Sequence, residues 1–239
     1  MTEIRAIGFD LGETLLFYRG ILMNWAAHYP AALAAVAAAL NSSPSTAQLE
    51  EAQKILLHYN TRVVPRTYEM PAKMIFVQIY DRWGIDHSTD LATGVRAFFS
   101  FFQQDACSYP DASPALARLR QCGLPLGLLT DVPYGMPTEF VKSDLNRAGL
   151  ANMFDALVTS VDVGHRKPEA AGFLALSKKL QVRPEELLYV GNEPKDVRGA
   201  KAAGAQSVLI DRDNASLDYG QDYTIHSLQE LPDVLAKLI

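Results

Sequence analysis

Phe9-Asp10-Leu11-Gly12-Glu13-Thr14-Leu15 puts an aspartate where a short apolar run, beginning at Ile4, gives out. A run of that length closed by Asp and Gly reads as a buried strand, residues 4 to 10, with Asp10 at its tip. The fold turns on what this strand pairs with. The chain that follows is helical in pattern from about Ile21 to Ser108, so no partner strand is expected there. The partners have to come from the second half. The helical stretch then becomes an insertion between the first strand and the rest of its sheet.

Within the insertion, Ile21 to Leu40 is apolar and alanine-rich, with Pro30 as a point where a helix can break. Ser45-Thr46-Ala47-Gln48 has the form of a capping box, and a helix follows to about Tyr59. Met70 to Trp83 and Ser88 to Gln104 give two more. Four helices with no strand between them form a natural bundle. The run Phe98, Phe99, Phe101, Phe102 reads as its core.

From Tyr109 the character changes. Ser113-Pro114 opens a helix that ends at Gly123, with serine as cap and proline in the first turn. Strands are expected at Leu124–Leu129, Ala156–Val158, Leu187–Val190, Ser207–Ile210 and Tyr223–Ile225. Helices are expected at Pro137–Ala148, Pro168–Leu180, Pro194–Ala203 and from Leu228 onward. Alternating strands and helices make an α/β fold, a doubly wound parallel sheet covered on both faces, Rossmann-like in plan. The core is expected to comprise residues 1–18 and 109–239, and the all-helical inserted cap residues 19–108.

The chain has 239 residues, 49% hydrophobic and 21% charged, the balance of a globular protein able to bury a sizeable core. A net charge of −5 argues against a nucleic-acid-binding surface. Cys107 and Cys122 sit in no metal-ligand spacing and read as reduced thiols. MTEIRAIGFD lacks the apolar stretch of a signal peptide, and Ala31–Leu40 is too short to span a bilayer. No membrane partner and a cytoplasmic location are therefore expected. Monomer and homodimer are both left open.

In open parallel sheets, ligands bind outside the carboxyl ends of the strands. The polar residues that follow each strand are Asp10, then Thr130 and Asp131, then His165-Arg166-Lys167, then Asn192, Glu193 and Asp196. An aspartate, a hydroxyl, a lysine and further carboxylates would face one crevice. That set suits phosphoryl transfer to a carboxylate: aspartate attacks phosphorus, and water cleaves the acyl phosphate. Threonine and lysine hold and neutralise the phosphoryl oxygens. Hard oxygen ligands for Mg2+ would come from Asp10, a backbone carbonyl and Asn192.

With these residues in order, the chain resembles the haloacid dehalogenase superfamily of hydrolases, in the form with a helical cap inserted after the first motif. Asp10-Leu11-Gly12-Glu13-Thr14 resembles the family's D-x-D-x-T/V motif. Leu128-Leu129-Thr130 and Arg166-Lys167-Pro168 are similar to the second and third motifs. Gly191-Asn192-Glu193-Pro194-Lys195-Asp196 resembles the fourth, G-D-x-x-x-D, and the segment Val197 to Gly204 is typical of the family. The resemblance implies that Asp10 is nucleophile and Mg2+ ligand, and that the carbonyl of Gly12 and the side chain of Asn192 also ligate the metal. It implies that Thr130 and Lys167 bind the phosphoryl group, and that Asp196 supports the metal shell or Lys167; Asp131, beside Thr130, is a further candidate to meet the substrate.

Two departures bear on activity. The family's second acid, which protonates the leaving group and activates water, is replaced by Gly12. Such a group is worth about 10²–10⁴-fold in rate. Acyl or aryl phosphates need little protonation, so hydrolysis can survive. Glu13 is a candidate substitute. Asn192 stands where an aspartate is usual, which lowers the charge at the metal unless Glu193 or Asp196 compensates. The expected reaction is Mg2+-dependent hydrolysis of a small phosphorylated metabolite through an aspartyl phosphate. The alternatives are a weak or inactive binding protein and, less favoured, a 2-haloacid dehalogenase. Arg19, Arg62 and Arg66 are candidates to meet an anionic substrate, and Trp25, Tyr29 and Tyr68 to line a pocket.

Overall fold

The computed structural model describes residues 3–20, 24–86, 90–103 and 106–238. In chain order the elements are β1 (Ala6–Phe9), β2 (Leu16–Tyr18), α1 (Tyr29–Ala39), α2 (Thr46–Tyr59), α3 (Ala72–Trp83), α4 (Leu91–Phe102) and β3 (Ala106–Ser108). Then come α5 (Ala112–Gln121), β4 (Leu126–Thr130), α6 (Thr138–Arg147), β5 (Ala156–Thr159), α7 (Ser160–Val163) and α8 (Ala171–Lys179). The chain ends with β6 (Leu187–Gly191), α9 (Pro194–Ala202), β7 (Gln206–Ile210), β8 (Tyr223–Ile225) and α10 (Leu231–Leu235).

The first strand is central. Six strands lie in the order β5-β4-β1-β6-β7-β8, every pair parallel, with Ile7 opposite Leu126 on one side and Leu188 on the other. The chain builds β4 and β5 outward from one edge of β1, and β6 to β8 outward from the other. That reversal opens a crevice at the carboxyl end of β1, where Asp10 stands.

Both faces of β1 are buried, but they are filled differently. Ile7 and Phe9 enter a core shared with α5, α6 and α10, for example Leu116, Val141 and Val234. Ala6 enters a second core with Phe173 and Leu176 of α8 and Ala200 of α9. Gly8 faces that second core, and a Cβ there would stand 2.8 Å from both Leu176 and Tyr189. Small residues on one face of β1 thus let α8 approach closely. The Ile7/Phe9 core also runs on into α1–α4, through Leu33, Val36, Leu56, Ile75 and Phe98.

The structure corrects several expectations. The segment from 21 to 108 is not helical throughout: β3 runs antiparallel to β2, pairing Leu16 with Ser108 and Tyr18 with Ala106. Three-residue strands are too short for alternation to show. Pro30 does not break a helix but occupies the first turn of α1, where its missing N–H costs nothing; a 3-10 turn, Trp25–His28, precedes it. The capping box at Ser45 and Gln48 forms as read. α8 starts at Ala171 and not at Pro168, and the short α7 fills the loop after β5. Asp111 and not Ser113 occupies the cap position of α5. The expected helix ends at Ile21, Ser88 and Gln104 lie outside the described residues.

Candidate active site

Asp10 follows β1, and its N–H donates to Val190 O at 2.8 Å, which ties the strand tip to β6. One carboxylate oxygen, Oδ1, accepts from Lys167 Nζ at 2.5 Å. The same ammonium donates to Asp196 Oδ1 at 2.6 Å and contacts the Tyr189 hydroxyl at 3.1 Å. Lys167 is anchored through its own backbone, whose N–H donates to Asp131 Oδ1 at 3.1 Å. Its side chain is 1% exposed. Burial works against the charged form of Lys167, but Asp10 and Asp196 outweigh it and hold the ammonium well above its ordinary range. Burial pushes the Asp10 carboxyl up, to about 7, against the pull of Lys167.

Both oxygens of Asp196 are hydrogen-bonded. Its Oδ2 accepts the N–H groups of Asn192 at 3.2 Å and Glu193 at 2.9 Å, and Oδ1 is held by Lys167. The geometry ties Asp196 to Lys167 and to the 192–193 loop. Gly191 is required beside it, because a Cβ there would meet Asp196 Cβ at 2.4 Å.

Asp10, Gly12, Thr130, Asp131 and Asn192 line one cavity. Lys167 and Asp196 are not part of that lining; they reach it through the contact of Lys167 Nζ with Asp10 Oδ1. Arg19 is elsewhere: it is exposed, and its Nη2 contacts Cys107 Sγ at 3.4 Å. Glu13 does not replace the missing acid. Its backbone has φ 58°, and its Oε2 accepts from Tyr109 OH at 2.7 Å, outside the cavity lining. Glu193 does line the cavity, but Arg62 Nη1 and Lys195 Nζ each reach it at 2.6 Å. Burial acts to raise the Glu193 carboxyl; Lys195 and Arg62 outweigh it and hold it at about 2.

Hard oxygens suited to Mg2+ are present as one carboxylate, one carbonyl and one carboxamide, from Asp10, Gly12 and Asn192 on the same wall. Among the described residues no group of three His, Cys, Asp or Glu is placed to hold a metal. The donor set fits an ion that keeps several waters. Thr14 Oγ1 donates to Asn192 Oδ1 at 3.2 Å and so orients the carboxamide.

The helical segment also lines the cavity. Trp25, Tyr59, Asn60, Arg62 and Phe102 line it. Phe102 is therefore more than bundle core, whereas Phe98 and Phe99 are fully buried within it. Tyr29 is buried and bonds the Tyr134 hydroxyl, and Tyr68 is 50% exposed. Arg66 turns inward to Tyr59 O at 2.8 Å. Glu69, from the turn between α2 and α3, pairs with Arg166 and accepts from Ser160 Oγ at 2.6 Å. Sequence reading missed Glu69, Tyr189 and Asp144. No motif marks them; the one signal was a polar residue in an apolar run at Tyr189.

Asp144 of α6 holds both crossings of the chain. Tyr18, on the outgoing strand β2, donates to its Oδ2 at 2.6 Å, and Gln103, at the end of α4, donates to its Oδ1 at 2.9 Å. Burial pushes the Asp144 carboxyl up, opposed by these donors and Arg147. Tyr18→Phe is expected to lower stability by about 1.5–3 kcal/mol, the worth of a hydrogen bond to a charged group. It should appear as a lower urea midpoint with unchanged slope. An unmoved midpoint would show that this bond adds nothing to stability.

A model of the haloacid dehalogenase-like hydrolases matches residues 4–204. The glyceraldehyde 3-phosphate phosphatase of Methanopyrus kandleri is 30% identical over 98% of this chain and 98% of its own. A solved HAD phosphatase from Thermococcus onnurineus superposes with TM-score 0.63 at 27% identity, covering 97% of this chain and 98% of that one. A 2-haloacid dehalogenase from Pseudomonas syringae pv. Tomato gives TM-score 0.71 at 23% identity, over 99% and 100% of the two chains, a likeness of fold.

Proposed function

Since this chain belongs to the haloacid dehalogenase-like hydrolases, we propose that it is a Mg2+-dependent phosphatase acting on a small phosphorylated metabolite through Asp10. The observation that carries the reading is the buried bridge of Lys167 Nζ between Asp10 and Asp196, with Asp10 lining one cavity together with Thr130 and Asn192. A structural scaffold gains little from a buried ammonium with two carboxylates, because apolar residues of the same volume pack as well. The name of the Methanopyrus relative supports phosphate-ester hydrolysis.

Asp10 Oδ2 attacks phosphorus in line with the leaving oxygen while Lys167 holds Oδ1 and orients the carboxylate. Thr130 meets the phosphoryl oxygens at the end of β4, with the positive charge of Lys167 held at Asp10. Asp196 is a positioning residue for Lys167. Asp10, the Gly12 carbonyl and Asn192 would hold the Mg2+, which neutralises phosphoryl charge when bound. Residues 19–108 act as a cap that excludes water, tied to the core through Glu69, Arg62 and Asp144. Among the described residues no helix is long and apolar enough to cross a membrane.

The test is hydrolysis of acetyl phosphate and phenyl phosphate with Mg2+ and with EDTA. Turnover should need the metal and fall by at least about 10³-fold in Asp10→Asn, as for loss of a nucleophile. Turnover equal in the variant, or none in the folded protein, would overturn the reading in favour of a non-catalytic binding protein.

A further inference from the structure

Resting on that reading, we propose that the substrate is an aryl phosphate, the ester of a phenol or heteroaromatic hydroxyl carrying no second anionic group. Three separate observations converge on it.

The first is an aromatic wall in the cavity that Asp10 lines. Trp25 stacks on Phe102 with ring centroids 3.9 Å apart and planes 5° from parallel, and Tyr134 lies 5.6 Å from Trp25. All three rings line the cavity that holds Asp10. Phe102 and Tyr134 are buried, and the Tyr134 hydroxyl is fixed by Tyr29, which in turn accepts from Asn60 Nδ2 at 3.0 Å. The rings are thus preordered for a flat apolar group, for which aromatic contact adds to plain burial.

The second is charge. The cations among the described lining residues are Arg62, Arg166 and Lys195. Each already faces a carboxylate: Arg62 and Lys195 share Glu193, and Arg166 holds Glu69. Their charge is therefore largely matched by protein carboxylates, and a carboxylate or second phosphate on the substrate gains little net attraction from them. An uncharged leaving group needs no such attraction.

The third is Gly12 with Glu13 turned away to Tyr109. Position 12 carries no acid, and the other carboxyl groups of the lining are each held by protein donors: Asp131 by the Lys167 N–H, Asp144 by Tyr18 and Gln103, and Glu193 by Arg62 and Lys195. A phenol ionises at a pKa of about 10, whereas an alcohol resembles water, at about 15.7. A phenolate leaves without a proton; an alkoxide does not. In the first step the bond from Asp10 Oδ2 to phosphorus forms, the P–O(aryl) bond breaks, and its electron pair stays on the phenolate, which takes a proton from solvent. Water then cleaves the aspartyl phosphate, releasing inorganic phosphate and restoring Asp10.

The experiment compares phenyl phosphate, glycerol 3-phosphate and phosphoglycolate as substrates with Mg2+, with acetyl phosphate as the reference for an intact phosphoryl site. Phenyl phosphate is expected to exceed both alkyl esters in kcat/KM by about 10²-fold or more. Leaving-group reactivity alone would do part of this, so binding is read separately. Titration calorimetry on Asp10→Asn should give phenyl phosphate a Kd at least about tenfold below that of glycerol 3-phosphate. That ratio corresponds to 1.4 kcal/mol. Trp25→Leu, checked as folded by circular dichroism, should raise KM for phenyl phosphate about tenfold more than KM for acetyl phosphate. Equal kcat/KM for aryl and alkyl esters, or equal Kd values, would overturn the aryl assignment and leave the phosphatase reading standing. Absence of Asp10-dependent turnover on all four compounds, acetyl phosphate included, would overturn both.

Discussion

Lys167→Met is expected to do two things at once: abolish measurable turnover and destabilise the protein by about 3–5 kcal/mol at pH 8, the cost of removing one partner from a buried ionic group. Both follow from a single atom. Lys167 Nζ touches Asp10 Oδ1 and Asp196 Oδ1 at 2.5 and 2.6 Å, and without it two buried carboxylates face a methyl group. Loss of one preorganised charge donor costs on the order of 10²–10³ in rate before any misplacement of Asp10 is counted. The stability loss has a sign in pH. In the native protein Asp10 is raised from 3.8 to about 7. Between those values the folded state holds a proton that the unfolded chain has released, so this group favours folding at low pH and loses that contribution as pH rises through 7. In the variant the downward pull of Lys167 is gone, and the window extends to higher pH. Urea unfolding at pH 8 and pH 5.5 should therefore show a penalty that shrinks on acidification. A penalty that is the same at both pH values would mean that the carboxylates are not what the ammonium stabilises.

That bridge shows what could be read in the residues and what could not. β1, β4 and β6 are fully buried parallel strands, so they appear as largely apolar runs, and polar residues close or follow each: Asp10, Thr130 with Asp131, and Asn192. The carboxyl end of a parallel sheet is therefore written in the chain, and the convergence of Asp10, Thr130 and Asn192 on one cavity follows from strand order alone. Lys167 was legible as a motif, and its support by Asp196 as one of the two roles the resemblance implied, but its contact with Tyr189 was not, because that depends on side-chain direction, which no motif records. The same limit hid Glu69. It lies in a turn of the helical segment, with no periodicity to mark it, and only the packing of that turn on Arg166 makes it a buried counter-ion. Glu13 illustrates the point from the other side. One position from Gly12, it looked like a spare acid; a φ of 58° and the Tyr109 hydroxyl carry it away. β2 and β3 escaped notice because three residues are too few to alternate.

Gly12→Asp should restore what Gly12 lacks, and the gain should fall on one class of ester. Position 12 lines the same cavity as Asp10, two residues along the chain, and is the place of the second acid in the motif it resembles. For glycerol 3-phosphate, whose alkoxide needs a proton, kcat/KM is expected to rise by on the order of 10²-fold, the lower end of what a positioned acid supplies. For phenyl phosphate, whose phenolate leaves unaided, the change should stay below about fivefold, since a Brønsted acid contributes little to a leaving group that is already a weak base. The new carboxylate also adds like charge near Asp10, so the variant should be less heat-stable at pH 8 than at pH 5.5, where protonation relieves the repulsion. Measuring both esters side by side on metal-loaded protein separates two accounts of the glycine. A rise confined to the alkyl ester makes Gly12 a determinant of leaving-group choice, matched to a cavity lined by Trp25, Phe102 and Tyr134. An equal rise on both would mean that the aspartate acts in the shared second step, activating the water that cleaves the aspartyl phosphate. In that case the native enzyme is limited by dephosphorylation, and the identity of the leaving group has to be decided by the aromatic wall and the paired cations alone.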